Sequence, residues 1–172
     1  YDPIEQNLRD RFAAPSAEHF FGTDEYGRDI FSRVIYGCRT SMEIGLISVA
    51  ISCIIGVVIG AIAGFYGGIT DNLFMRFIDV LMAIPNTLLG ISIVAALGNS
   101  IPNLIIALSI GSIAGYARVV RVSVLSTKGT EYVEAAYATG ASDFRIIFKY
   151  ILPNCLAPII VQATMSVATT IM

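Results

Sequence analysis

The chain has 172 residues, of which 55% are hydrophobic and only 14% are charged. This composition, with long runs that contain no charge, excludes a disordered chain and indicates a membrane protein. Eleven Lys and Arg against thirteen Asp and Glu give a net charge of −2 without a long basic run, so nucleic acid is not an expected partner. Cys38, Cys53 and Cys155 share no CxxC spacing and therefore indicate neither a disulfide framework nor a zinc site.

Residues 1–40 are predicted to form an external segment. Apolar side chains within residues 28–39 share one helical face, which predicts an amphipathic helix at the membrane interface, capped by Thr23 or Asp24. Asp24, Glu25 and Asp29 are conceivable ligands of a metal ion. The neighbouring arginine and glycines instead favour helix capping and ion pairing as the roles of these carboxylates. The external-face residues that stand out are Gly22, Thr23, Asp24, Gly27, Arg28 and Asp29.

Residues 41–172 are predicted to form a transmembrane helical domain. Residues 44–66 form a run of 23 residues without a charge. As an α-helix this run would be about 35 Å long, which is enough to cross a hydrocarbon core of about 30 Å. The uncharged run 80–117 is too long for one crossing and is broken by the polar turn 98–102. The last crossing contains Pro153 and Pro158, so we expect it to start irregularly or to be kinked. The predicted helices are residues 43–66, 72–97, 103–121 and 150–172, with a loop over residues 122–149.

The distribution of basic residues predicts the orientation, because Lys and Arg near the ends of crossings are retained in the cytoplasm. Five of them lie between residues 118 and 149, whereas the turn 98–102 has none. The long loop is therefore predicted to be cytoplasmic and the short turn external. Alternation then makes the Gly67-Gly68 turn cytoplasmic and residues 1–40 external.

Two features of the crossings predict packing. On the second helix, Arg76 and Asp79 are three residues apart and therefore lie on one face, where they are able to pair. On the first, small residues recur at every fourth position and predict a ridge for close helix approach, either at a subunit interface or inside the bundle. The members of this ridge are Ser48, Ser52, Gly56, Gly60 and Gly64.

The sequence offers no catalytic set. His19 is the only histidine, so neither an HExxH zinc site nor a Ser-His-Asp triad can be assembled within these residues. No acidic residue lies at the middle of a predicted crossing, and no GxxxxGK[ST] phosphate loop is present, which argues against a proton relay and against ATP binding by that motif. We expect the chain to bind no metal and no cofactor. Asn86 and Gln162, two of the few polar residues in the membrane layer, are the predicted substrate-path residues.

The loop before the last crossing has the pattern of a short exposed helix. Thr130 is predicted to cap it, and Glu131 and Glu134 lie in its first turn, where negative charge is favoured. Small alanines keep the helix slim, and Gly140 is predicted to end it in the left-handed conformation. A second short helix is expected to begin at Ser142 or at the residue after it. A slim helix between two crossings has the shape needed to insert into a groove on another protein; the alternative is a merely solvated loop.

Several motifs resemble one family. Glu134-Ala135-Ala136-x-x-x-Gly140, followed by Leu152-Pro153, resembles the EAA loop of the permease subunits of binding-protein-dependent ABC importers, although Tyr150 stands where the broader superfamily often has Ile. Residues 19–29, HFFGTDEYGRD, resemble the segment before the second transmembrane helix in permeases of the dipeptide, oligopeptide and nickel group. Residues 64–68 and 115–118 agree as well, so the resemblance covers nearly the whole chain from His19 onward.

The resemblance implies an all-α membrane protein of a six-helix type, in a bacterial or archaeal cytoplasmic membrane, of which the first and last helices are expected to be missing here. It implies that the EAA loop is a coupling helix docked on an ATPase subunit and that two ATPase subunits hold ATP and Mg²⁺. A homologous second permease, an extracytoplasmic substrate-binding protein and membrane lipid are the other implied partners. The residues implied to make the ATPase contact are Glu131, Tyr132, Glu134, Ala135, Ala136, Gly140 and Ala141.

We therefore interpret the chain as a permease subunit of an ATP-driven importer, without an ATPase site of its own. Its cargo is a di- or oligopeptide or a related small solute, and a nickel chelate and a glutathione-like molecule stay open. The alternative is a non-ABC channel, or a scaffold subunit assembled through its small-residue ridge. A membrane enzyme is a third alternative, for which no catalytic set is present.

Overall fold

The computed structural model describes residues 1–171, and this part of the chain is helical, with one isolated β-bridge and no strand. The prediction of an all-α fold is confirmed. A π-helical segment, Ile146–Ile151, and a 3₁₀ segment, Leu152–Cys155, join the last two α-helices. The α-helices are α1 (Ile30–Tyr66), α2 (Gly68–Ala83), α3 (Asn86–Leu97), α4 (Ile101–Lys128), α5 (Glu131–Ala138), α6 (Asp143–Arg145) and α7 (Leu156–Ile171).

The chain divides into two units, residues 1–44 and the residues from 45 onward. In the first unit, a 3₁₀ turn at Leu8–Asp10 is followed by a loop in which Thr23 forms a β-bridge with Asp29. The first unit ends within α1, and the second unit contains all the other α-helices.

The N-terminal part of α1 differs from the prediction of a separate interfacial helix. No proline interrupts residues 30–66, and one continuous helix of 37 residues forms over this range. Neither Thr23 nor Asp24 caps it. The carboxylate of Asp29 accepts a hydrogen bond from the backbone N–H of Ser32 at 2.7 Å, which is the N-cap contact.

The predicted helix 72–97 is wrong as a single element. The chain there is divided into α2 and α3, whose axes differ by 87°. The cause is Pro85, which has no N–H and disfavours helical backbone at the preceding residue. Ile84 accordingly has extended backbone, with φ −96° and ψ 125°. By length and apolarity, three helical stretches of the described residues are able to cross a membrane, or four if the bent pair is one span.

Within the second unit, α1 and α4 pack side by side and run in the same direction. Ser48 of α1 donates to the carbonyl of Ile105 of α4 at 3.5 Å, and Lys128, at the end of α4, donates to the carbonyl of Phe65 at 2.7 Å. Helices α1 and α4 therefore run parallel. The end of α1 and the start of α4 lie at opposite ends of this pair, so the bent pair α2–α3 returns the chain along the full length of the bundle.

The predicted bounds of the last two crossings also change. Helix α4 extends to Lys128 instead of ending near residue 121, so the loop between helices is shorter than residues 122–149. The irregular start expected from Pro153 is confirmed, since the π-helical and 3₁₀ segments precede α7. Pro158 lies in the first turn of α7, where a missing N–H is tolerated.

Candidate coupling helix and polar cleft

Helix α5 lies at the end of the second unit where α1 and α4 both finish, and it is anchored by one face. Val133 is completely buried and Ala136 is 5% exposed. Both belong to a hydrophobic cluster with Val120 and Val124 of α4 and with residues of α1 and of the segment 146–159. Burial of a side chain such as Val133 contributes about 1.5–3 kcal/mol, so α5 is held firmly on the bundle rather than being a solvated loop.

The other face of α5 is open. Thr130 is the N-cap residue by position, but its hydroxyl donates to the carbonyl of Thr127 at 2.7 Å instead of capping α5. The carbonyl of Thr130 accepts from the N–H groups of Val133 and Glu134. The exposed residues on this helix are Glu131, Tyr132, Glu134, Ala135, Tyr137 and Ala138.

The end of α5 is a Schellman motif. The N–H of Ala141 donates to the carbonyl of Ala136 at 3.1 Å, and the N–H of Gly140 donates to the carbonyl of Tyr137 at 2.9 Å. Gly140 has a φ of +76°, as predicted for a left-handed helix terminus. Ala136 and Ala141 pack in the hydrophobic cluster, which is the contact that usually accompanies this motif.

Two residues of the predicted ATPase contact have side chains that face the bundle. Ala136 is buried and Ala141 is partly buried against the same cluster, so neither side chain is displayed on the surface. Their small size fixes the close approach of α5 to the bundle. Glu131, Tyr132, Glu134, Ala135 and Gly140 are exposed, and their contact with an ATPase subunit stays a prediction.

Ion pairs fasten α2 to α4 near this end. Arg121 donates to both carboxylate oxygens of Asp71, from its Nη2 at 2.6 Å and from its Nε. Asp79 accepts a hydrogen bond of 2.6 Å from Arg118 of α4, so its partner is Arg118 and not Arg76. Arg118 is 39 positions away in the sequence, and no local spacing rule indicates this pair.

The small-residue ridge of α1 packs on α4 within the same chain. A methyl group on Gly60 would lie 2.4 Å from the carbonyl oxygen of Ala117, so only glycine permits this approach. Gly56 and Gly64 face α4 in the same way, and Ser52 is completely buried. The sequence left two alternatives for the ridge, a subunit interface or the interior of the bundle. The ridge packs inside the bundle.

A polar cleft of about 360 Å³ opens where α2 and α3 separate. It brings together Asn86 and Gln162, the two predicted substrate-path residues, from α3 and α7. A neighbouring cavity of about 220 Å³ shares Asn86 and continues along α3 and α4 toward Gly90 and Ala107. Residues of the cleft are Met82, Ile84, Pro85, Asn86, Gly111, Ser112, Ala114, Gly115, Gln162, Ser166 and Thr169.

Two glycines of α4, which the sequence analysis does not identify, allow the amides of the cleft to lie close to this helix. A methyl group on Gly111 would lie 3.5 Å from Asn86 Oδ1, and one on Gly115 would lie 3.3 Å from Gln162 Nε2. The signal that could have identified them is their four-residue spacing, which is the same spacing as in the ridge on α1.

The external-face residues form a tight turn before α1. Asp24 accepts hydrogen bonds from the N–H groups of Tyr26 and Arg28, and its carboxylate also pairs with the Arg28 and Arg33 side chains. Asp29 accepts from Ser32 and contacts Nδ1 of His19 at 3.0 Å. Burial raises the pKa of Asp29, but these hydrogen bonds lower it more, so the net shift is downward. Capping and ion pairing are thus confirmed as the roles of these carboxylates.

The remaining members of this turn have structural roles of their own. Thr23 accepts from the N–H of Ala13 at 2.8 Å, and Gly22 and Gly27 have positive φ. Within residues 1–171, no group of three or more His, Cys, Asp or Glu side chains is arranged to hold a metal ion.

Comparison with known proteins places the chain in a family. The model of the binding-protein-dependent transport system inner membrane component matches residues 56–172. The dipeptide transport system permease protein DppC of Alkalihalophilus pseudofirmus is 48% identical over 98% of this chain and 55% of the relative. DppC of Bacillus subtilis is 43% identical over 98% of this chain and 52% of the relative.

A relative with a different name is similar to almost the same extent. The glutathione transport system permease protein GsiD of Pectobacterium atrosepticum is 41% identical over 91% of this chain and 52% of the relative. The chain thus spans about half the length of the curated relatives it matches. Because the family model covers more than half of the chain, the chain belongs to the family of binding-protein-dependent transport system inner membrane components.

Proposed function

We propose that this chain is the permease part of an ATP-driven importer for peptides and that α5 is its coupling helix. One observation carries the proposal. Helix α5 is anchored through Val133 and Ala136 while Glu131, Glu134 and Ala135 stay exposed at the end of the bundle. A slim, firmly held helix with a free acidic face is suited to fill a groove on another protein and to transmit its movement.

The connections of α5 support a coupling role. Its C-terminal motif leads through Ala141 directly into the segment 143–155 and then into α7. Its buried face contacts α1 and α4. When two ATPase subunits close on ATP and Mg²⁺, a pull on α5 is therefore passed to three long helices and rocks the bundle between inward-open and outward-open states.

The cleft at the α2–α3 break supports a translocation path. Transporter sites are often formed where a membrane helix is interrupted, because irregular backbone is tolerated there only if it lines a cavity. Asn86 stands at the junction of two cavities that follow α3 and α4. We propose that a second permease completes this path from the other side.

The remaining partners follow from the orientation. The π-helical segment Ile146–Ile151, which carries Lys149, packs on α5, and Arg145 immediately precedes it. These basic residues favour a cytoplasmic position for this end in a bacterial or archaeal cytoplasmic membrane. The turn at residues 22–29 then lies outside, where an extracytoplasmic binding protein delivers the cargo. ATP and Mg²⁺ belong to the ATPase partners.

Peptides are the proposed cargo class. The relatives are named for dipeptide and glutathione transport, and both cargoes contain peptide bonds. The scaffold alternative loses its main feature, since the small-residue ridge is occupied by α4 of the same chain. The channel alternative predicts conduction without an ATPase.

Co-purification tests the coupling proposal. The complete protein is expressed with the ATPase subunits encoded beside it, as wild type and as Glu134→Arg, which reverses the charge of the exposed face of α5. We expect the wild type to retain the ATPase and Glu134→Arg to lose at least nine tenths of it. Glu25→Arg, an exposed charge reversal in the external segment, is the matched control and should behave like the wild type.

The result separates the candidate functions. Equal retention by Glu134→Arg and the wild type would contradict the assignment of α5. A wild type that retains no ATPase and conducts without it would instead favour a channel.

A further inference from the structure

The cleft at the α2–α3 break has an unusual lining for a membrane layer, because it is polar but carries no charge. Its polar side chains are amides and hydroxyls, contributed by α3, α4 and α7. On two of the helices that line the cleft, α2 and α4, Asp79 and Arg118 are hydrogen-bonded to each other at 2.6 Å, so their charges compensate each other. A ligand of this cleft is therefore recognised by neutral hydrogen bonding.

The two amides of the cleft are free to bind a ligand. The side chain of Asn86 is exposed at the mouth, and Gln162 donates to Ser166 Oγ at 3.5 Å, the weak limit of a hydrogen bond. Because Gly111 and Gly115 have no side chains, both amides lie close to the backbone of α4. A methyl group on Gly115 would lie 3.3 Å from Gln162 Nε2 and would displace that amide, whereas one on Gly111 would only contact Asn86.

Each side-chain amide offers N–H donors and a carbonyl acceptor, which are the complements of the C=O and N–H of a peptide bond. Two amides on different helices are able to bind both groups of one peptide unit. The volume of about 360 Å³ lies in the range of small-molecule sites, about 300–1,000 Å³.

We infer that the cleft binds the main-chain peptide group of the cargo through Asn86 and Gln162 and is indifferent to the charge of the cargo's side chains. This inference rests on the proposed function and adds a ligand class to the same path. It follows that the permease itself distinguishes an amide from an ester of the same shape, since an ester lacks the N–H donor.

The test compares two substrates that differ only in this donor. The complete importer, with partner permease, ATPases and binding protein, is reconstituted in proteoliposomes. Uptake of alanyl-alanine is compared with uptake of its ester isostere, in which oxygen replaces the peptide N–H. The affinity of the binding protein for the amide relative to the ester is measured separately. The uptake ratio is divided by this affinity ratio, which is the same for every permease variant.

We expect the wild-type importer to prefer the amide by about threefold to tenfold beyond the binding protein's preference, which is the size of one neutral hydrogen bond. Asn86→Leu and Gln162→Met should abolish this extra preference. The control Asn72→Leu removes an exposed amide of α2 outside the cleft and should keep it. Uptake of alanyl-lysine and alanyl-glutamate should fall by the same factor as uptake of alanyl-alanine in each cleft variant.

Gly115→Ala provides an independent variant if either polar substitution prevents assembly, since its methyl group would lie 3.3 Å from Gln162 Nε2 and would displace this amide. An extra amide preference that persists in the cleft variants, or is lost equally in Asn72→Leu, overturns the inference while peptide import by the wild type leaves the proposed function standing. A wild-type importer that takes up no peptide overturns both.

Discussion

At the scale of single residues, the turn before α1 depends on the carboxylate of Asp24. Its oxygens accept from the N–H of Tyr26 at 2.8 Å, the N–H of Arg28 at 3.0 Å and the Arg28 Nε at 2.7 Å. Burial of the carboxylate raises its pKa, but these hydrogen bonds and the charge of Arg28 lower it more. The pKa of Asp24 accordingly falls from 3.8 to about 2.

The lowered pKa predicts how the turn responds to acid. Because the folded pKa lies below the ordinary value, the stabilisation by Asp24 is complete above about pH 4 and is lost as the pH falls through about 2. Carboxyl ¹³C shifts of the aspartate-labelled protein in micelles should therefore show an Asp24 midpoint near 2. Arg28→Gln should move this midpoint upward.

The control for this titration is Arg39→Gln, since Arg39 pairs with Glu43 at 3.1 Å and not with Asp24. It should leave the Asp24 midpoint unchanged. A midpoint near 3.8 in the unaltered protein would show that the hydrogen bonds to Asp24 do not form in solution.

At the scale of elements, the end of α5 shows why some local structure is predictable. A short helix that begins after a Thr, carries two Glu in its first turn and stops at a Gly has all its signals within a few residues, and Gly140 adopts the expected φ of +76°. The break at Pro85 was equally local, but the long apolar run concealed it. The proline effect on Ile84 was the signal that should have divided the helix.

Gly140 also gives a prediction about coupling. A β-branched side chain in the left-handed region costs about 1–2 kcal/mol, which corresponds to about a five- to thirtyfold change in an equilibrium. We expect Gly140→Val to weaken ATPase binding to the nanodisc-embedded protein by about this factor, measured by titration with a fluorescent ATPase subunit. Gly140→Asn should change it little, because Asn tolerates this conformation.

Gly129 offers a matched control for this substitution. It precedes α5, has an ordinary φ of −91°, and a side chain there would enter open space. Gly129→Val should therefore leave ATPase binding near the wild-type value. Equal weakening by both valine variants would mean that bulk near α5, rather than the Schellman motif, determines binding.

At the scale of the whole molecule, the contacts that fix the arrangement join distant residues. Asp71 and Arg121, which form an ion pair, are 50 positions apart in the sequence. Gly60 of α1 packs directly against the backbone of α4 at Ala117. The four-residue periodicity identifies the small-residue ridge of α1. It does not identify the helix that packs on this ridge, because any helix with a suitable surface is able to do so. The convergence of Asn86 and Gln162 in one cleft likewise depends on the bend at Pro85, which turns α3 relative to α2.

The parallel course of α1 and α4 leads to a prediction about membrane topology. If the bent pair α2–α3 crosses once, the turn at Asn99 and the start of α2, where Ile69 is exposed, must lie on opposite sides of the membrane. In a cysteine-free background, a membrane-impermeant maleimide should label Asn99→Cys in intact spheroplasts. It should label Ile69→Cys only after permeabilisation, because Lys128 contacts the neighbouring end of α1 and basic residues retain that end in the cytoplasm. Labelling of both from the same side would mean that α2–α3 is a re-entrant loop, and the path proposed along α3 would then open on one side only.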